Sequence, residues 1–138
     1  MLKKVFCVIF AIATIVGVNL LCSLPLFYGL SDGYTVYLND NSATANAVKL
    51  NSPIYPFMAK VKGESCKVKK DGFSVDEFFK DRNASILFVE KLDGITCYYG
   101  YSEDIKFNTI VGDKIVNLQV AVAENSVTVG SPIIFGSF

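Results

Sequence analysis

The feature that most constrains this chain is a long uncharged stretch close to its N terminus. Lys3 and Lys4 precede it, and residues 5–31 contain no charged side chain. Positive residues stay on the cytoplasmic side of a membrane, so this polarity predicts that the rest of the chain lies outside. The expected organisation is a membrane anchor or signal segment over residues 1–31, followed by an extracytoplasmic domain over residues 32–138.

The length of the uncharged stretch favours an uncleaved transmembrane helix over a cleaved signal peptide. A span needs about 20 mostly apolar residues, whereas a signal core has roughly 7–15 and is followed by small residues at the cleavage site. Residues 29–31 form a possible cleavage site late in the stretch, and Cys22 matches a lipoprotein signal poorly. Phe27 and Tyr28 suit the aromatic belt at the outer interface of the membrane. We expect a single-pass protein of the cell membrane with its C-terminal domain outside. The alternative is secretion after cleavage, as a protein that binds a small ligand.

The remainder of the chain has the composition of one small folded domain. The whole protein has thirteen basic and thirteen acidic residues, and two of the basic ones lie in the first segment, so the domain is slightly acidic. A nucleic-acid-binding domain is typically strongly basic, and nucleic acid is therefore not an expected partner. The domain is rich in Val, Ile, Tyr and Phe, which predicts a packed core rather than disorder.

The pattern of the domain predicts an α+β fold, with a mostly antiparallel sheet and one packed helix. Ser74 is a good N-cap with Glu77 three residues later, and an apolar face recurs at helical spacing up to residue 83. Strand-like runs surround this helix, and Asp93-Gly94 is a strong hairpin signal between two of them. Residues 114–123 alternate as one strand that would place Val116 and Leu118 on the same face.

The residue types exclude the commonest catalytic and metal sites. The chain contains no histidine, so neither a Ser-His-Asp triad nor a usual zinc site can form, and we expect no metal or other cofactor. The acidic residues stand at expected turns and strand ends. A non-enzymatic role is therefore predicted, and the alternative is an enzyme whose site converges on Glu90, Glu103 or Asp113.

Two clusters are candidate binding surfaces, and one pair of cysteines is a candidate disulfide. A lysine stripe could touch an anionic envelope polymer or lipid headgroups, although lysines also protect edge strands from aggregation. A tyrosine cluster on a predicted strand could contact an envelope protein. The predicted binding residues are Lys60, Lys62, Lys67 and Lys69 in the stripe and Tyr98, Tyr99 and Tyr101 in the cluster. Cys66 and Cys97 are equally compatible with a disulfide and with two buried free thiols.

Three segments near the C terminus resemble a family of small exported proteins. The segments are Tyr99-Gly100-Tyr101-Ser102, residues 112–121 beginning Gly112-Asp113-Lys114, and Val129-Gly130-Ser131-Pro132-Ile133-Ile134. They resemble YwmB-like proteins, exported proteins of uncharacterised role in low-GC Gram-positive bacteria, whose fold is similar to a TATA-box-binding domain. The resemblance implies an extracytoplasmic α+β domain without a known catalytic site, and it does not imply DNA binding.

Overall fold

The structure is a computed structural model, and it describes residues 2–22, 25–31, 33–39, 46–51 and 61–136. The elements follow one another along the chain as two helices and nine strands within these ranges. They are α1 (Leu2–Cys22), β1 (Tyr34–Tyr37), β2 (Ala47–Leu50), β3 (Gly63–Val68), α2 (Val75–Asp81), β4 (Ala84–Leu92), β5 (Ile95–Ser102), β6 (Thr109–Val111), β7 (Lys114–Val116), β8 (Leu118–Val122) and β9 (Val127–Ser131).

Seven strands form one antiparallel sheet in the order β2-β1-β3-β9-β8-β5-β4, and β6 pairs with β7 in a separate hairpin. Directly paired residues of neighbouring strands share a face of the sheet. Leu118, Val120 and Val129 point to one face and form a buried cluster beneath α2. Cys97 and Ala121 point to the opposite face, where the β6–β7 hairpin and the C-terminal residues cover them. The sheet therefore has a core on each side.

Helix α2 forms where its capping residue predicted it. The hydroxyl of Ser74 accepts a hydrogen bond from the Glu77 amide at 3.3 Å, which satisfies one of the donors at the helix start. Phe78 and Phe79 belong to α2, and their side chains are buried in the core. Phe79 packs directly against the backbone of Gly100, and a Cβ at that position would collide with its ring. The absence of a side chain at residue 100 thus sets how closely α2 approaches the sheet.

The strand predicted over residues 114–123 is divided at Asn117. The side-chain nitrogen of Asn117 donates to the Ser102 carbonyl at 2.6 Å and to the Ile105 carbonyl at 3.1 Å. The side-chain oxygen of Asn117 accepts from the Ser102 backbone amide at 2.8 Å. The chain stops pairing with β6 before this residue and pairs with β5 and β9 after it. Val116 packs in the cluster on the hairpin side while Leu118 packs beneath α2, so the prediction that both share one face is wrong.

The predicted fold class, an α+β domain that follows a transmembrane or signal helix, is wrong in its membrane part. Within the ranges given above, no helix is long and apolar enough to cross a membrane. Two lysines lie in the first turn of α1, and Thr14 and Asn19 are polar residues within it whose side chains donate to the carbonyls of Phe10 and Ile15.

The segment after α1 packs against the domain, although it was predicted to belong to the anchor. Phe27 is fully buried in the cluster beneath α2, and Leu26 and Leu30 pack against the same cluster. Tyr28, the second residue assigned to an interfacial belt, is 58% exposed. Residues 25–31 therefore pack with the domain that follows them.

Candidate functional site

A large groove opens at the end of the sheet where β1 begins and β3 ends. It has a volume of about 980 Å³. One wall is the segment 25–31, represented by Tyr28 and Ser31, and the other is the turn between β3 and α2, where Gly72 adopts a φ of 77°. Tyr34 and Val68 also line it. We call this space the front groove.

A second groove of about 530 Å³ lies beside the first, towards the opposite face of the sheet. Lys49 and Thr35 are paired across β2 and β1, and both line it together with C-terminal residues including Phe135. We call it the back groove. Four residues line both spaces, and they are Ser31, Tyr34, Asn51 and Lys67. The two grooves therefore adjoin around the end of the sheet.

The combined groove is positively charged in the part of the chain that the structure describes. Lys67 and Lys69 line the front groove and Lys49 lines the back groove, whereas Asp71 is the acidic residue in the lining. All three lysines are exposed. Three ammonium groups opposed by one carboxylate favour an anionic ligand. Because the site is accessible to solvent, this attraction should weaken as the salt concentration rises.

The groove walls are held by hydrogen bonds and ring contacts. The Tyr34 hydroxyl accepts from the Gly29 amide at 3.2 Å and so joins the segment 25–31 to β1. In the back groove the Tyr37 and Ser65 hydroxyls share a hydrogen bond of 2.8 Å, and Phe135 meets the Tyr37 ring edge to face at 5.2 Å. Burial raises the pKa of Tyr37 above its ordinary value of 10.0, so this hydroxyl stays protonated at neutral pH.

The predicted lysine stripe is only partly gathered at the groove. Lys67 and Lys69 line it, Lys62 is exposed elsewhere on the surface, and Lys60 lies outside the described residues. Lys70, their neighbour, donates to the carbonyls of Ala123 and Glu124 and is held at a different turn. Lys49 was missed because it is isolated in sequence, and strand pairing alone brings it to the same end of the sheet.

The three predicted tyrosines do not form one recognition surface. Tyr98 packs against the cluster beneath α2, whereas Tyr99 is buried on the other face and stacks on Phe88 at 4.6 Å. Tyr101 is 38% exposed and is paired with Ser85 near the outer edge of the sheet. Strands β9 and β8 separate these residues from Lys67 on β3, so the two predicted sets do not converge.

Cys66 and Cys97 are both free and buried, so the disulfide that the sequence allowed is not formed. Cys66 is aligned across β9 and β8 with Tyr98, and Cys97 is the next residue, which points to the opposite face. Three strand spacings separate them by about 14 Å, far beyond the reach of a disulfide. Burial raises the pKa of the Cys66 thiol to about 12, and burial also raises that of Cys97.

The acidic residues that were predicted to form the site of an alternative enzyme do not line either groove. Glu90 is on β4, Glu103 follows β5 and Asp113 is in the turn of the β6–β7 hairpin, and none of them lines the grooves described above. Among the described residues, no three side chains of the metal-binding types gather into one site. The polar side chains of the grooves are therefore lysine, tyrosine, serine, threonine and asparagine, with Asp71 as the acidic residue.

Comparison with protein-family models, with curated proteins and with solved structures found no match for this chain. The resemblance to YwmB-like proteins stays a prediction.

Proposed function

We propose that this protein is a non-catalytic, exported interaction module that binds an anionic polymer of the bacterial cell envelope. The observation that carries the proposal is the continuous groove in which Lys49, Lys67 and Lys69 are opposed by Asp71. The uncharged N-terminal stretch after Lys4 would act as the export signal, and the working protein would be secreted. Its resemblance to exported proteins of Gram-positive bacteria agrees with that compartment.

The shape of the site favours a chain-like ligand over a small molecule. Small-ligand sites are mostly apolar cavities that enclose most of the ligand. Here the two spaces are open to solvent and adjoin around the end of the sheet, and lysines line both of them. A phosphodiester polymer has regularly spaced charges that could meet these lysines in turn, which supports the polymer over the alternative of a secreted small-ligand-binding protein.

The test is the affinity for labelled poly(glycerol phosphate) of the double variant Lys67→Gln/Lys69→Gln. A lysine near an anionic surface contributes about 1 kcal/mol, so removing two should weaken binding about 30-fold. The matched control is Lys91→Gln/Lys114→Gln, which removes the same charge from exposed positions on β4 and the hairpin. We expect the control to change affinity less than about threefold, since its charges act at a distance through salt.

Two results would contradict the proposal. Equal weakening by both double variants would mean that the polymer responds to overall charge and not to the groove. Absence of binding by the unaltered protein at low salt would remove this class of polymer altogether.

A further inference from the structure

The front groove depends on a segment that the sequence assigned to the leader. Residues 28–31 form one wall of that groove, and Tyr28 is the most exposed aromatic residue in it. A cleavage at the predicted small-residue site, residues 29–31, would separate Tyr28 from the domain. The position of any export cleavage therefore decides whether the front groove is complete.

Phe27 anchors the segment in the domain through a hydrogen bond and through contacts of its ring. The Phe27 amide donates to a carboxylate oxygen of the buried Glu64 at 2.9 Å. The Phe27 ring lies 6.2 Å from the ring of Phe78, and the Arg82 guanidinium stands over both rings, 5.7 Å from the first and 3.8 Å from the second. These contacts join the segment to both β3 and α2.

Local hydrogen bonds fix the shape of the same segment. The Tyr28 amide donates to the Pro25 carbonyl at 3.1 Å, and the Leu30 amide donates to the Phe27 carbonyl at 3.1 Å. With the Gly29 amide bonded to the Tyr34 hydroxyl, three successive amides after Phe27 have partners. Tyr28 therefore lies in an ordered turn, and its neighbour Phe27 is anchored in the core.

We infer that residues 25–31 remain in the working protein as a fixed wall of the groove, with the Tyr28 hydroxyl donating to the bound polymer, and that any export cleavage falls N-terminal to Pro25. Retention follows from the burial of Phe27, since loss of a fully buried aromatic side chain opens a cavity and would strip Glu64 of a donor. The role of Tyr28 rests on the proposed function. It places a phenolic donor in the same groove as Lys67 and Lys69, where phosphate oxygens would lie.

The first experiment is the intact mass of the exported protein, made from the full chain in a Gram-positive host and isolated in folded form. We expect a polypeptide that still contains Pro25, whether or not α1 has been removed. A folded product beginning between residues 26 and 32, with the same melting temperature as the full chain, would overturn the inference of retention.

The second experiment tests Tyr28 with the full chain and labelled poly(glycerol phosphate). Tyr28→Phe keeps the ring and removes only the hydroxyl, so we expect affinity to fall about fivefold with the melting temperature unchanged. Unchanged affinity would overturn the role of the hydroxyl. If the unaltered protein bound no polymer, the proposed function and the role of Tyr28 would fail together, whereas the mass measurement would still decide retention of the segment.

Discussion

Replacing Phe27 with alanine should severely destabilise the domain if the segment 25–31 is part of its core. The side chain is 0% exposed and packs in the cluster beneath α2. Truncation of a buried phenylalanine to alanine costs about 3–5 kcal/mol, which includes the lost transfer of the ring from water and the cavity that remains. Since small domains have a total stability of about 5–15 kcal/mol, this loss is a large fraction of the whole.

The assay is thermal and urea unfolding of the full chain, followed by circular dichroism in a mild detergent that covers the exposed apolar side chains of α1. For a domain of about 100 residues, each 1 kcal/mol lowers the melting temperature by about 4–8 °C, so a decrease of at least about 12 °C is expected. The urea midpoint should fall while the slope of the transition stays constant, because the surface exposed on unfolding hardly changes.

Tyr28→Ala is the matched control, since it removes the neighbouring aromatic ring from a position that is 58% exposed. A surface substitution of this kind changes stability by about 0.5 kcal/mol or less. If Phe27→Ala and Tyr28→Ala destabilised the protein equally and by less than about 1 kcal/mol, the segment would not be part of the core, and the argument for its retention would fail.

Two further changes test the interior of the domain. Asn117→Ala would remove three buried hydrogen bonds, to the Ser102 amide, the Ser102 carbonyl and the Ile105 carbonyl, so we expect a loss of roughly 2–4 kcal/mol in urea unfolding. The exposed Asn108→Ala should cost about 0.5 kcal/mol or less, and similar values for both would contradict the anchoring role of Asn117. Burial raises the pKa of Cys66 from 9.0 to about 12, so the folded state keeps this proton after the unfolded chain has lost it, and stability should fall as the pH rises from 9 to 12. Unfolding of Cys66→Val across this range should show a shallower decline, and an identical pH dependence in both proteins would refute the assignment.

Local patterns were enough to predict many elements of the domain. The Ser74 cap, the Asp93-Gly94 turn and the strand Ile95–Ser102 each depend on neighbouring residues, and the structure confirms all three. The continuous strand over residues 114–123 was wrong because a period-two pattern cannot reveal that the Asn117 side chain bonds to residues of another strand. Hydrogen bonds between distant parts of the chain leave no periodic signal.

The candidate site was predicted in part. The concentration of lysines in sequence identified Lys67 and Lys69, because these two residues stand close together on the chain. The addition of Lys49 and the separation of the tyrosine cluster from the groove depend on the order of strands in the sheet. That order is decided by pairing between residues far apart in sequence, which a single sequence does not display.

The sequence by itself determined the absence of histidine chemistry, the N-terminal polarity and the positions of the strongest turns and of α2. Tertiary structure decided that Phe27 belongs to the domain core, that Cys66 and Cys97 point to opposite faces, and that Lys49 joins Lys67 at one groove. The physical reason is the same in each case. Residue type and local spacing set what a segment can form, whereas burial and strand pairing are settled only when distant segments compete for the same core.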